Sequence, residues 1–227
     1  MDVSVIIVAA GLGRRMGNHA TPKQFMPLLG KPLLSHTIIP FESIPKIREI
    51  ILLVPPGWEE YCRVHVVEAY RFKKVTKILS GGAERQDTVY RGLQEVSPEI
   101  EIVAIHDGAR PLVTGPLIES CIQMACAYGG ALVAIPLTDT PKLVTAEGLV
   151  TQTLKRDGIW LAQTPQTFRK EIILKAYESA LSDGFYSTDD AALVERIGYS
   201  VKIVPGSPTN LKVTTPDDLR LAEGFLT

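Results

Sequence analysis

Val3-Ser4-Val5-Ile6-Ile7-Val8-Ala9-Ala10-Gly11-Leu12-Gly13-Arg14-Arg15-Met16-Gly17 begins as an apolar run and breaks into a glycine-rich turn carrying two arginines. The run is rich in Val and Ile, too short for a membrane span and without the basic leader of a signal peptide, so it predicts a buried first strand over Val3 to Val8. Open α/β sheets bind ligands at the carboxyl ends of their strands, and backbone N–H groups of such a turn can wrap phosphate oxygens. The turn therefore bears on both fold class and ligand.

Two nucleotide fingerprints fail here. Gly11, Gly13 and Gly17 are spaced GxGxxxG, one residue longer than a dinucleotide-binding turn. The second strand ends in Val54-Pro55-Pro56, where a nicotinamide or flavin enzyme needs an acid for the ribose hydroxyls. Gly17 is followed by Asn18 rather than the Lys-Ser/Thr of a Walker loop. Hydride transfer and P-loop hydrolysis are therefore disfavoured. What remains is Arg14 and Arg15, with Lys23 a few residues on: three cations suited to a triphosphate, or else solvated charges on a surface loop.

The 227 residues carry 24 Lys+Arg against 25 Asp+Glu, so no overall field gathers nucleic acid or an anionic membrane, and phosphate binding must rest on local clusters. A 45% hydrophobic content suits one globular domain over 1–227. Cys62, Cys121 and Cys126 form neither CxxC nor ligand spacing, and their odd number points to a reduced, cytoplasmic setting. His19, His36, His65 and His106 lack metal spacing, and His106 reads as a strand-end packing residue.

Further along, Val/Ile-rich runs alternate with helical stretches, the pattern of a mostly parallel sheet covered by helices. A helix is expected from about Pro32 to Phe41, a strand over Glu49 to Val54, and a helix from Gly57 toward Tyr70. VTKIL, EIVAIH, ALVAIP and YSVKIV read as later strands; helices are expected near Ala83, after Pro116, over Lys170 to Leu181 and Asp189 to Ile197, and from Thr215-Pro216. Between Leu137 and Gln166 the pattern changes to short β segments with Glu147-Gly148 as a hairpin turn, predicting an arm that projects from the sheet.

The ordered set AAGLGRRMG, PKQF, GGAERQDTV, HDGARP, TDTPK, LKRDGIW, QTPQTF, STDD and NLKVTTPDDL resembles, over essentially the whole chain, the 2-C-methyl-D-erythritol 4-phosphate cytidylyltransferase family. HDGARP or AAGxGxRM alone would suggest only the wider nucleotidyltransferase group. The resemblance implies a Rossmann-like three-layer α/β fold whose β arm, 137–166, clasps a second subunit in a homodimer. It implies transfer of CMP from CTP to methylerythritol phosphate, or, in a sister enzyme, to D-ribitol 5-phosphate.

By that resemblance Arg15, Lys23 and Lys212 are catalytic cations on the triphosphate. Ala9, Ala10, Gly11, Gly13, Arg14, Gly81, Gly82, Thr88 and Asp107 would hold the nucleotide, and Asp107 would also hold Mg2+ or another divalent cation. A turn-capping role for Asp107 stays open. Arg110, Thr140, Arg156, Thr164, Thr188 and Lys212 match positions for the polyol phosphate, some of them reaching a neighbouring subunit's site. One departure stands out: family members often have Asp after the second glycine of GGxxR, where this chain has Ala83. Arg85 and Asp87 read either as a local ion pair on a helix face or as part of the site.

Overall fold

A computed structural model describes residues 1–11 and 21–227. The first strand is β1 (Val3–Val8); a short hairpin, β2 (Pro27–Leu28) and β3 (Lys31–Pro32), leads into α1 (Leu33–Ser43) and β4 (Ile47–Val54). Next come α2 (Glu59–Cys62), β5 (Val75–Ser80), α3 (Arg85–Gln94), β6 (Ile102–Asp107), α4 (Gly115–Tyr128) and β7 (Gly130–Pro136). The chain continues through β8 (Lys142–Val144), β9 (Val150–Thr153), β10 (Trp160–Arg169), α5 (Lys170–Ser182), α6 (Asp190–Arg196), β11 (Lys202–Pro205) and α7 (Pro216–Leu226).

Among the described residues seven strands form one sheet in the order β11-β7-β10-β6-β1-β4-β5. All pairings are parallel except those of β10, which runs antiparallel to both neighbours. Alternation along β1 sorts the core: Val3, Val5 and Ile7 join residues of α1 and α4 on one face, while Ile6 meets α3, α5 and α6 on the other. This is a three-layer, Rossmann-like α/β fold. β4 and β5 extend the sheet to one side of β1 and β6 to the other, so the strand order reverses at β1 and β6, where such sheets leave a ligand crevice.

Two expectations need correction. The helix from Gly57 toward Tyr70 is a single α turn that widens into a π-helix over Arg63–Glu68. The stretch 137–166 is not arm throughout, because β10 pairs with β7 from Trp160 and with β6 from Gln166. Gln163, Thr164, Gln166 and Thr167 gave that strand a polar look, yet all four are buried. The two glutamines are accommodated inside the sheet by bonds to Ser207, Asn210, Asp189 and Asp190. The hairpin of β8 and β9 does project, with a turn at Glu147-Gly148 where Gly148 adopts φ +83°.

Candidate active site

Three loops leave the carboxyl ends of β1, β5 and β6 side by side. Hydrogen bonds continue the ladder beyond the strands: Ala9 N–H donates to Leu53 O, Gly108 N–H to Val8 O and Gly81 N–H to Val54 O, each at 2.8 Å. A Cβ on Gly81 would lie 2.1 Å from that of Ala10, and one on Gly108 would lie 2.7 Å from that of Ala9. The glycines let the loops meet backbone to backbone, where a side chain at either position would collide with the neighbouring loop.

Above this floor stands Asp107. The Val213 N–H donates to Ala109 O at 2.8 Å and so fixes the segment that carries Lys212, whose Nζ lies 2.7 Å from Asp107 Oδ2. Arg85 Nε is 3.5 Å from Oδ1 and Arg110 Nε 3.8 Å from Oδ2. Burial opposes charge on Asp107, but Lys212, Arg85 and Arg110 outweigh it and hold the carboxyl well below the usual carboxylate range. Lys23 heads a 3-10 turn directly after Pro22, and its Nζ donates to Val213 O at 2.7 Å. The turn is braced by Phe25, buried and stacked on Trp58 with centroids 5.4 Å apart.

Two clefts open here. One, of about 200 Å³, is lined by Ala9, Ala10, Gly11, Gly82 and Thr88, with Lys23 at its edge. The other, of about 250 Å³, is lined by Arg110, Thr164 and Thr188. Arg85, Asp107 and Lys212 line both, so the two spaces meet on one group of charges. The wall of the first contains Ala83 and Glu84, which caps the start of α3.

The fold agrees with comparisons to known proteins. A family model for 2-C-methyl-D-erythritol 4-phosphate cytidylyltransferase matches residues 3–227. The chain belongs to that family. Relatives named for that enzyme include those of Geotalea uraniireducens, 48% identical over 100% of this chain and 97% of its own, and of Syntrophus aciditrophicus, 47% identical over 99% and 95%. Among solved structures, the 4-diphosphocytidyl-2C-methyl-D-erythritol synthase of Anaerococcus prevotii superposes with a TM-score of 0.86 at 30% identity, covering 99% of this chain and 96% of that one. The chain is thus a nucleotidyltransferase of the cytidylyltransferase class.

Within this cytidylyltransferase the residues singled out by sequence differ in where they stand. Those lining the clefts converge as described, while Gly81 stands just behind, packed on Ala10. Thr140 and Arg156 lie in neither cleft of their own chain; both are exposed on the arm, where Arg156 donates to Thr138 O. Two hydroxyls turn out to serve the scaffold. Thr88 Oγ donates to Glu84 O and accepts from Gly82 N–H, while Thr164 Oγ accepts from Asp107 N–H. Gly13, Arg14 and Arg15 lie outside the described residues.

His106 is buried beneath this group, against Phe41, with Nδ1 2.9 Å from Thr164 Oγ and Nε2 3.2 Å from Arg110 O. A neutral ring protonated on Nε2 satisfies both contacts. Burial depresses its pKa from 6.5 to about 4. The unfolded chain takes up this proton near pH 6.5 and the fold only near 4, so the stabilisation is present above pH 6.5 and is lost as pH falls toward 4. From pH 7 to pH 5 the wild type should lose about 2 kcal/mol more unfolding free energy than His106→Asn. Urea titrations at the two pH values check this, and equal losses would refute it.

The Arg85–Asp87 pair expected as one possibility does not form. Asp87 accepts from the Glu84 N–H at the start of its own helix, while Arg85 pairs with Asp190, 105 positions away. Sequence reading also missed Gln24, which donates to Ala9 O, and Asn210, which binds Gln163 and Thr164 O. Buried polar side chains spread along the chain leave no local spacing signal; only their meeting in space reveals them.

Proposed function

We propose that this chain transfers CMP from CTP to 2-C-methyl-D-erythritol 4-phosphate, releasing pyrophosphate, in non-mevalonate isoprenoid precursor synthesis. The observation that carries this reading is the pair of clefts meeting on Arg85, Asp107 and Lys212. CTP occupies the cleft floored by the glycine loops, whose close backbone approach leaves room for the nucleotide. The polyol phosphate occupies the cleft of Arg110, Thr164 and Thr188. An oxygen of the acceptor phosphate, already an anion at neutral pH, attacks the α-phosphorus; the bond to the bridging oxygen breaks and pyrophosphate departs with the electron pair. No general base is needed. The protein's task is alignment and neutralisation, which Lys23, Lys212 and Arg15 perform.

A divalent cation fits this site only as a companion of the phosphates. Among the described residues no three of His, Cys, Asp and Glu stand together as ligands, and Asp107 is a single carboxylate already faced by cations. Mg2+ is commonly held by one or two carboxylates plus substrate phosphates, so Asp107 would be its protein ligand and the ion would offset phosphate charge.

The arm supports a homodimer. Leu143, Val144, Leu149 and Val150 are 47%, 56%, 68% and 61% exposed on a hairpin that has no core of its own. A second copy covering this surface would bring Thr140 and Arg156 toward a neighbouring acceptor cleft. Free thiols at Cys62, Cys121 and Cys126 support a cytoplasmic setting, and among the described residues no helix is long and apolar enough to cross a membrane.

Pyrophosphate release from CTP and Mg2+, with either 2-C-methyl-D-erythritol 4-phosphate or D-ribitol 5-phosphate as acceptor, tests the reading. Turnover should favour the methylerythritol compound by at least about 100-fold, because a buried site tuned to one set of hydroxyls leaves polar groups unpaired with another. Preference for ribitol phosphate would overturn the acceptor assignment, and no release with either would overturn the activity.

A further inference from the structure

The first residues of α3 reach across to the segment 185–190. Gln86 accepts from Ser187 N–H and donates to Phe185 O, and Tyr186 OH donates to Asp87. Arg85 forms the centre of this contact. Its Nη1 and Nη2 donate to the two oxygens of Asp190 at 3.0 and 2.7 Å, a bidentate pair. Asp190 is 0% exposed and also accepts from the Tyr177 hydroxyl. Its own backbone N–H is held by Gln166 in β10.

Burying a carboxylate and a guanidinium is expensive, and two apolar side chains of similar volume often serve stability as well or better. The location of this pair suggests a use beyond stability. The remaining edge of the guanidinium, Nε, faces Asp107 Oδ1 at 3.5 Å, in the wall common to both clefts. One planar group thus spans from a buried anchor to Oδ1 of the carboxylate at the centre of the site, while Oδ2 faces Lys212 at 2.7 Å and Arg110 at 3.8 Å. Lysine, with a single compact head, cannot make the three contacts at once.

Resting on the reading of the two clefts as donor and acceptor sites, we propose that Arg85, anchored on Asp190, is a positioning residue for nucleotidyl transfer. It sets the Asp107 carboxylate, and through it Lys212, between the clefts, and it ties the loop 81–84 to the segment bearing Thr188. The residue acts through Asp107 and Lys212 rather than on the reacting atoms.

Steady-state kinetics on Arg85→Lys, Asp190→Asn and Tyr177→Phe, each checked for folding by circular dichroism and thermal melting, test this. Misplacing aligned charges costs turnover more than ground-state binding, so Arg85→Lys and Asp190→Asn should each lower kcat about tenfold or more, with KM for both substrates within about threefold. Tyr177→Phe removes a bond to the same carboxylate but leaves Arg85 paired. It should reduce thermal stability while kcat stays within about twofold of wild type. Combining Arg85→Lys with Asp190→Asn should lose little more than the worse single change, because both break one linkage.

A kcat unchanged in Arg85→Lys and Asp190→Asn would overturn the proposal, as would an equal fall in Tyr177→Phe. Should Arg85→Lys fail to fold, the contrast between Asp190→Asn and Tyr177→Phe decides alone. Wild-type enzyme assayed in parallel separates the two levels: an inactive wild type refutes the functional reading, whereas an active wild type with indifferent variants refutes only the role of Arg85.

Discussion

Lys23→Ala lowers kcat by about 10²–10³, the scale of losing one preorganised charge-stabilising donor from a nucleotidyl-transfer site. The structure makes this a clean substitution. Lys23 opens a 3-10 turn set by Pro22 and braced by Phe25 on Trp58, and neither support involves the ammonium group. Its bond to Val213 O is one interaction lost from the protein itself, worth about 1 kcal/mol of stability. The fold should therefore survive with a small drop in melting temperature while turnover collapses. Steady-state kinetics varying CTP and the polyol phosphate separately provide the check. A raised KM for CTP with kcat intact would make Lys23 a ground-state binding residue and refute its role on the leaving group.

The second large effect concerns the proposed shared site. Arg156→Ala alone should reduce kcat/KM for the acceptor by about 10²-fold or more, because a guanidinium facing a phosphate makes strong charge-assisted bonds. In this chain Arg156 is exposed on the arm and lines neither cleft. If it serves the neighbouring subunit, mixing Arg156→Ala with Lys23→Ala subunits restores activity. Random exchange makes half the dimers mixed, and each mixed dimer has one intact site, so recovery should reach about one quarter of wild type. Exchange is verified by separating differently tagged subunits. No recovery after confirmed exchange would place Arg156 on its own chain's site or remove it from catalysis.

Local patterns carried a large part of the fold. Val3 to Val8 shows the apolar run of a strand buried on both faces, and Thr215-Pro216 shows a hydroxyl cap followed by proline at the first helical turn; both stand where expected. β10 was legible only in part, because its buried half is written in Gln and Thr, residues that belong inside a sheet only once partners from 189–191, 207 and 210 reach them. Likewise, the signature GGAERQD marked α3 and its loop but gave no hint that Arg85 turns away from Asp87 toward Asp190. A charge two positions along the same helix is visible in the string; one 105 positions away is not.

By itself the sequence determined the α/β class and the glycine loops at strand ends through residue type and near-neighbour spacing, while its ordered motifs carried the resemblance to the family and, through it, singled out Lys23, Asp107, Arg110 and Lys212 as residues of interest. Tertiary structure alone decided which of those residues share a wall, that Thr164 and Thr88 serve the scaffold, that Thr140 and Arg156 stand apart, and that Asp107 is held by three cations from three segments. The reason is physical. Spacing along a chain sets backbone conformation, whereas the meeting of distant polar groups is selected by the high cost of burying any of them without a partner.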